Sequence, residues 1–277
     1  MLTLAFSPCP NDTFMFYALL HQEVDCEGLD FSFVTDDVET LNQRAMEGIY
    51  PVSKISYHAY LYLTEKYCML QSGSALGFGT GPLLISKIKH DTAQLPDLTM
   101  AVPGQFTTAN LLRKLLLPEP ERVHEMVFSD IENCVLNHKT DCGVIIHENR
   151  FTYAQKGLYC MADLGLLWES RTGLPVPLGG IAVRKDIDAE TAQAFARTLK
   201  RSIQWAFAHP EKTMPFVKQY AQEMDEDVMQ KHIRLYVNNY SENLGNTGTE
   251  AVFRMFEIAH SKGMIGQVDR NDVFLQR

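Results

Sequence analysis

The stretch GFGTGPLLIS, residues 77–86, sets three glycines and a proline directly before a short apolar run. A second stretch of this kind, PVPLGGIAV, occupies residues 175–183. Dense glycine and proline favour a turn or a crossing, and the apolar runs that follow them favour buried strands. We therefore predict that the chain crosses between two lobes at each stretch, and that a ligand cleft lies between the lobes.

The predicted lobes are discontinuous in sequence. Lobe 1 comprises residues 1–90 and 178–277, and lobe 2 is the inserted segment 91–177. A length of 277 residues suits about two domains. Hydrophobic residues make up 45% of the chain and charged residues 21%, which is ordinary for a globular protein and excludes a largely disordered one.

Short strands and helices alternate through the first two thirds of the chain. Helices are predicted to start at Asp36 or Asp37, at Ser56, and near Thr107 and Thr108. The strands between helices are predicted at residues 2–6, 29–34, 52–55, 98–102, 123–128 and 142–146. This alternation predicts an α/β fold in which each lobe is a mostly parallel sheet flanked by helices. The last third is predicted to be helical.

Those C-terminal helices have distinct predicted starts. One begins at Asp188, a shorter one extends to about Met224, and another begins near Asp225. Thr247 and Glu250 have the spacing of a capping box at the start of the last long helix.

Charge and composition exclude several partners. The chain has 25 Lys and Arg against 34 Asp and Glu, a formal charge of −9, so it lacks a general basic surface for nucleic acid. No apolar run approaches the ~20 residues that span a bilayer. The first residues, MLTLAFSPCPNDTF, lack the basic start of a signal peptide, and we expect a cytoplasmic protein.

Cofactor and metal motifs are not found in the sequence. The six cysteines form no C-x-x-C pair, and the glycines at 77, 79 and 81 lack the spacing of a dinucleotide fingerprint. We expect neither a metal nor a cofactor.

Four polar clusters directly follow predicted strands. In α/β sheets, ligands bind outside the carboxyl ends of the strands, so each cluster is expected at the edge of its own lobe that faces the cleft. The candidates are Ser7, Asn11 and Asp12 as cleft-lining residues; Lys54, Ile55 and Ser56; Thr107, Thr108 and Ala109; and His147.

Each cluster also has a purely structural interpretation. Thr107 and Thr108 stand at a predicted helix start, where free amides and the helix dipole favour an anion, but a threonine there can simply be an N-cap. Lys54 is either a point charge for a carboxylate or a solvated lysine. For Asn11 and Asp12 we favour capping of the first helix over contact with substrate.

His147 is the candidate for chemistry. It follows the apolar run Gly143–Ile146, and an imidazole with an ordinary pKa of about 6.5 suits proton abstraction near neutral pH. The alternative is a hydrogen-bonded structural histidine.

Several motifs in order resemble one enzyme family. They are SPCPNDTF at 7–14, DVETLN at 37–42, KISY at 54–57, TTA at 107–109, GVIIHE at 143–148 and RTGLP at 171–175. Together they resemble the 1,4-dihydroxy-6-naphthoate synthases of the futalosine route to menaquinone, over essentially the whole chain.

The resemblance implies a periplasmic-binding-protein-like fold of type II that acts as an enzyme. It implies a carbon–carbon lyase that converts cyclic dehypoxanthinyl futalosine to 1,4-dihydroxy-6-naphthoate and dihydroxyacetone. It also implies that His147 is the general base, and that the residues contacting the carboxylate substrate are Lys54, Ile55, Ser56, Thr107, Thr108 and Ala109.

Three other functions remain open from the sequence. A solute-binding protein of the same fold would bind a carboxylate without chemistry. A chorismate dehydratase of the same pathway would share the fold class and also act on a carboxylate. A ligand-sensing domain of a regulator would need a DNA-binding segment, and none is found in the sequence.

Overall fold

The computed structural model describes residues 1–221 and 225–276. Within these ranges the strands are β1 (Leu2–Phe6), β2 (Phe31–Thr35), β3 (Val52–Ser56), β4 (Tyr67–Met69), β5 (Ala75–Gly77), β6 (Leu83–Ser86), β7 (Thr99–Val102), β8 (Arg122–Glu125), β9 (Cys142–Ile145), β10 (Tyr159–Asp163) and β11 (Val176–Arg184).

The helices in the same ranges number from α1 to α13. They are α1 (Pro10–Leu20), α2 (Val38–Glu47), α3 (Tyr57–Tyr60), α4 (Thr108–Leu116), α5 (Ile131–Leu136), α6 (Asn149–Thr152), α7 (Leu164–Thr172), α8 (Ala189–Ala208), α9 (Pro210–Tyr220), α10 (Glu226–Tyr236), α11 (Asn239–Glu242), α12 (Gly245–Ser261) and α13 (Arg270–Val273).

The strands form two separate sheets. The first has the order β2-β1-β3-β11-β4, with β5 also paired to β11, and the second has the order β10-β6-β9-β7-β8. Two sheets flanked by helices confirm the predicted α/β class.

The predicted mostly parallel sheets are confirmed, and in each sheet one of the described strands runs against the others. Strands β1, β2 and β3 are parallel, as are β7, β8 and β9, but β11 runs antiparallel to β3 and β6 antiparallel to β9. The reason is the direction of the crossing. Each strand that follows a crossing enters its sheet at the edge where the parallel strands end, and then runs away from that edge.

The sheet assignments locate both crossings. Strand β5 belongs to the first sheet and β6 to the second, so the first crossing precedes residue 83, whereas the predicted lobe boundary lies at residue 90. The chain returns to the first sheet with β11, which starts at Val176. The division at residues 90 and 178 stays a prediction.

The helices bury apolar faces against the first sheet. The rings of Phe6 on β1 and Phe16 on α1 stack with centroids 4.4 Å apart, and Phe195 and Leu199 of the long helix α8 join the same fully buried cluster. This packing fixes α1, and with it the polar residues at the start of α1.

Most of the residues predicted to begin helices do so in the structure. The side chains of Asp37, Asp188 and Asp225 each accept hydrogen bonds from amides of the first turn of the helix that follows. The predicted capping box at Thr247 is wrong, because α12 starts earlier, at Gly245, with no side-chain cap. The predicted end near Met224 lies outside the described residues.

No helix in the described ranges is long and apolar enough to cross a membrane.

Candidate active site

A cavity lies where the parallel strands of both sheets end. The residues that line it are Ser7, Asn11, Asp12, Val38, Lys54, Ser56, Ala75, Thr80, Pro82, Thr107, Thr108, Ala109, Ile146, His147, Leu178, Gly179 and Tyr236. The structure therefore brings together every predicted site residue except Ile55.

Ile55 lies on the wrong face of its strand. Successive side chains of a strand point to opposite faces, so Lys54 and Ser56 line the cavity while the Ile55 side chain is fully buried in the core.

One wall of the cavity is a buried network centred on Asp12. The Asp12 carboxylate accepts hydrogen bonds from the amide and the hydroxyl of Ser7, at 3.2 and 2.7 Å, and from Asn11 Nδ2 at 2.8 Å. Lys54 Nζ completes the set at 2.9 Å, in an ion pair whose side chains are 7% and 0% exposed. A buried charge is stable only when it is paired and hydrogen-bonded in this way.

This network corrects the predictions made for three residues. Asp12 is not the cap of α1, because α1 starts at Pro10 with Cys9 as its N-cap, and proline suits the first helical position. Lys54 is neither a solvated lysine nor a free point charge, since Asp12 neutralises it. Asn11 is also not a cap: its Oδ1 accepts a hydrogen bond of 2.9 Å from Nε2 of the buried His232 on α10.

The start of α4 forms a second wall. Thr107 is the N-cap, and its Oγ1 accepts from the amide of Asn110 at 3.2 Å. Thr108 and Ala109 are the first two helical residues, and their amides have no intrahelical acceptor. Helix amides of this kind, at the positive end of the dipole, attract an anionic group.

The hydroxyl of Thr108 ties this wall to neighbouring elements. It donates to the carbonyl of Leu178 at 2.5 Å and accepts from the amide of His58 at 3.2 Å. Thr108 thus holds α4 to the start of β11 and to α3, and Ser56, at the end of β3, lines the same cavity.

His147 closes the cavity from the second sheet. Its backbone is left-handed, with φ of 57°, which sends the chain sharply away from β9. Its ring lies edge-on to Phe128, with centroids 4.8 Å apart, and its Nδ1 lies 3.6 Å from the Cys9 Sγ. Its Nε2 is buried and has no hydrogen-bond partner among the residues described.

Burial decides the charge of that ring. Removal from water lowers the pKa of His147 to about 4, and the nearby Asp12 only partly opposes the effect. The imidazole is therefore neutral at pH 7, and a neutral imidazole with an unused ring nitrogen can accept a proton.

Some lining residues were not predicted from the sequence. Thr80 and Pro82 belong to the first crossing, Leu178 and Gly179 to β11, and Tyr236 to α10. The glycine- and proline-rich composition of the two crossings is the sequence signal that could have indicated Thr80, Pro82, Leu178 and Gly179. Nothing local identifies Tyr236, which is 89 positions from His147 in the chain.

Across the described residues, no group of three or more His, Cys, Asp or Glu side chains is arranged to hold a metal ion.

Comparison with known proteins gives matches over nearly the full length. Residues 2–261 match the family described as menaquinone biosynthesis. The chain is 42% identical over 263 residues to a 1,4-dihydroxy-6-naphthoate synthase of Thermus thermophilus, covering 95% of each chain. It is 39% identical over 270 residues to a synthase of the same name from Streptomyces coelicolor, covering 95% of this chain and 94% of that one.

Solved structures agree on the fold. A protein from Archaeoglobus fulgidus superposes with a TM-score of 0.90 at 38% identity, covering 95% of this chain and 98% of that one. A Candida albicans protein described as having the generic periplasmic binding protein fold gives 0.72 at 13% identity, covering 98% and 93%. The predicted periplasmic-binding-protein-like fold is confirmed.

Proposed function

The chain belongs to the menaquinone-biosynthesis family, as an enzyme, and from this premise we propose that it converts cyclic dehypoxanthinyl futalosine to 1,4-dihydroxy-6-naphthoate and dihydroxyacetone. The observation that carries the proposal is the placement of His147 on the second sheet, at a cavity whose other walls offer donors for a carboxylate. The two relatives named for this activity, similar over 95% of the chain, support it.

The substrate carboxylate binds between Ser56 and the start of α4. Two amides at the positive end of a helix, those of Thr108 and Ala109, together with the Ser56 hydroxyl form an anion site without a free cation. Thr107 supports the site as the cap of α4, and Ile55 contributes through its backbone. Lys54 acts indirectly: its ion pair with Asp12 fixes the carboxylate to which Ser7 and Asn11 donate, and these residues form one wall of the cavity.

His147 is the general base of the reaction. Its Nε2 takes a proton from the substrate, and the electron pair of that bond forms a new double bond in the fragment derived from ribose. The adjacent carbon–carbon bond breaks, and its electron pair passes into the bicycle, which takes up a proton in return. Formation of the aromatic bicycle supplies the driving force. A positioned general base contributes about 10²–10⁴-fold to the rate. Burial keeps His147 neutral, so its lone pair is free to accept a proton, and the same burial lowers the basicity of the ring.

The two-lobe arrangement suits a reaction that must exclude water. The cavity is enclosed by residues of both sheets and by both crossings, so opening of the lobes admits the substrate and closing aligns it with His147. No cofactor enters the proposed reaction, and a cytoplasmic location stays a prediction.

The test is direct incubation of the purified protein with cyclic dehypoxanthinyl futalosine, with naphthoate absorbance followed over time. The proposal predicts catalytic formation of 1,4-dihydroxy-6-naphthoate. Chorismate is the matched second substrate. Dehydration of chorismate without formation of naphthoate would show that the protein is a chorismate dehydratase. Binding of the futalosine derivative with no product in either reaction would make it a solute-binding protein.

A further inference from the structure

The DVETLN segment, residues 37–42, lies directly behind the cavity. It forms the first part of α2, which packs against β3. Its residues Glu39 and Asn42 do not line the cavity. Asn42 is hydrogen-bonded to Ser56, which does, and Glu39 is hydrogen-bonded to the amide of Phe106 in the loop that leads into α4. Asn42 is fully buried, and a buried amide of this kind has to satisfy all its polar atoms.

The contacts of Asn42 fix the direction of its amide group. Its Oδ1 accepts from the backbone amide of Ser56 at 2.9 Å. Its Nδ2 therefore makes the two other contacts, donating to Glu39 Oε2 at 3.2 Å and to the Ser56 hydroxyl oxygen at 3.1 Å. A carboxylate can only accept, so Glu39 enforces this orientation.

The orientation of Asn42 determines what Ser56 offers to a ligand. A hydroxyl has one hydrogen to donate and two lone pairs to accept with. Because Asn42 Nδ2 occupies a lone pair of the Ser56 oxygen, the hydroxyl hydrogen remains available, and Ser56 lines the cavity. Ser56 therefore faces the cavity as a donor, which is what a carboxylate requires.

Glu39 also contacts the loop that leads into α4. Both of its carboxylate oxygens lie 3.1 Å from the amide of Phe106. Gly104 in the same loop has φ of 115°, and a Cβ placed there would lie only 2.4 Å from Glu39 Cγ. Because residue 104 is a glycine, the loop can approach Glu39 closely. Glu39, on α2 beside the first sheet, therefore holds the loop that precedes Thr107 and Thr108.

We propose that Glu39 and Asn42 are positioning residues that hold the Ser56 hydroxyl and the start of α4 together as one anion subsite, specific for the carboxylate of the substrate. This inference rests on the proposed function, since it takes the substrate carboxylate to bind there. The role of Glu39 is geometric, because a second negative charge near a bound carboxylate is itself unfavourable.

The test compares Glu39→Ala and Glu39→Gln on two ligands, the substrate acid and its methyl ester. Hydrogen bonds to a charged group are among the stronger ones in proteins, so loss of the positioning should raise KM for the acid about tenfold or more in Glu39→Ala. We expect kcat to change less than threefold and affinity for the ester to stay unchanged. Glu39→Gln keeps the shape and an acceptor oxygen, so it should restore most of the affinity.

Two further variants separate positioning from stability. Glu47→Ala removes an exposed carboxylate from the same helix and should leave KM unchanged. Gly104→Ala keeps Glu39 but forces the loop away from it, so it should raise KM for the acid as Glu39→Ala does. Thermal unfolding of each variant checks that the protein is folded at the assay temperature.

The outcomes distinguish this inference from the proposed function. The positioning role would be overturned if Glu39→Ala lost as much affinity for the ester as for the acid. A fall in kcat at unchanged KM would overturn it as well. If the wild-type protein forms no naphthoate, the proposed function fails. Calorimetric binding of the acid and the ester to wild type and Glu39→Ala then still tests whether Glu39 supports a carboxylate subsite.

Discussion

The Nδ1 atom of His147 lies 3.6 Å from the Sγ atom of Cys9. His147 follows β9 of the second sheet and Cys9 precedes α1 on the first sheet, so the contact joins the two sheets beside the cavity. Burial raises the pKa of the Cys9 thiol well above its ordinary value, which keeps the thiol uncharged. The base role of His147 requires the tautomer in which Nδ1 carries the ring hydrogen and faces the neutral Cys9 sulfur, because only then does Nε2 have a free lone pair.

The ionisation of His147 predicts how stability depends on pH. Its folded-state pKa of about 4 lies below the ordinary value of about 6.5, so the unfolded chain binds the proton first. The stability that this group contributes is therefore complete above pH 6.5 and is lost as the pH falls towards 4. We expect a lower unfolding midpoint at pH 5 than at pH 7.5.

His147→Asn provides the comparison for that pH dependence. The variant has no group that titrates at this position, so its unfolding midpoint should change less between pH 7.5 and 5. Other buried histidines, such as His58, whose pKa burial also lowers to about 4, remain in both proteins. An identical pH dependence of the unfolding midpoint in the two proteins would contradict the lowered pKa of His147.

The ion pair between Lys54 and Asp12 predicts a large loss of stability when one partner is removed. Lys54→Met leaves the buried Asp12 carboxylate with only Ser7 and Asn11 as donors, and should lower the free energy of unfolding by about 3 kcal/mol. The double variant with Asp12→Asn should recover part of this loss, because no charge is left unpaired. Urea unfolding measures the free energy of unfolding of the single and double variants. If the losses from Lys54→Met and Asp12→Asn simply add in the double variant, the two side chains do not stabilise each other.

Thr107 is predicted to act as a cap rather than through a direct role in chemistry. Thr107→Ala removes the acceptor for the Asn110 amide and should lower the free energy of unfolding by about 1 kcal/mol. Thr107→Ser keeps a hydroxyl that caps equally well, so it should unfold as the wild type does. Equal destabilisation by both substitutions in urea unfolding would exclude the capping role.

Local signals predicted much of the fold. The helix α2 begins after Asp37 and ends at Gly48, which adopts the left-handed conformation typical of a helix end. The alternation of short strands and helices predicted two sheets, and the rule that ligands bind at strand ends placed Ser7, Ser56 and His147 at one cavity.

Nonlocal contacts explain what the sequence did not predict. Lys54 and Asp12 are 42 residues apart, so a pattern read along the chain leaves both as isolated charges, one a point charge and the other a cap. Tyr236 reaches the cavity from α10, which follows the second crossing and packs against α1. The antiparallel direction of β6 and β11 depends on the edge at which each strand enters its sheet, and composition does not encode it.

Replacement of His147 by asparagine tests the catalytic role most directly. Asparagine tolerates the left-handed backbone that His147 adopts, so this substitution removes the base with little added strain. We predict that kcat for naphthoate formation falls about 10²–10⁴-fold while the dissociation constant of the substrate is unchanged. Turnover close to that of the wild type, with unchanged binding, would show that His147 is not the base.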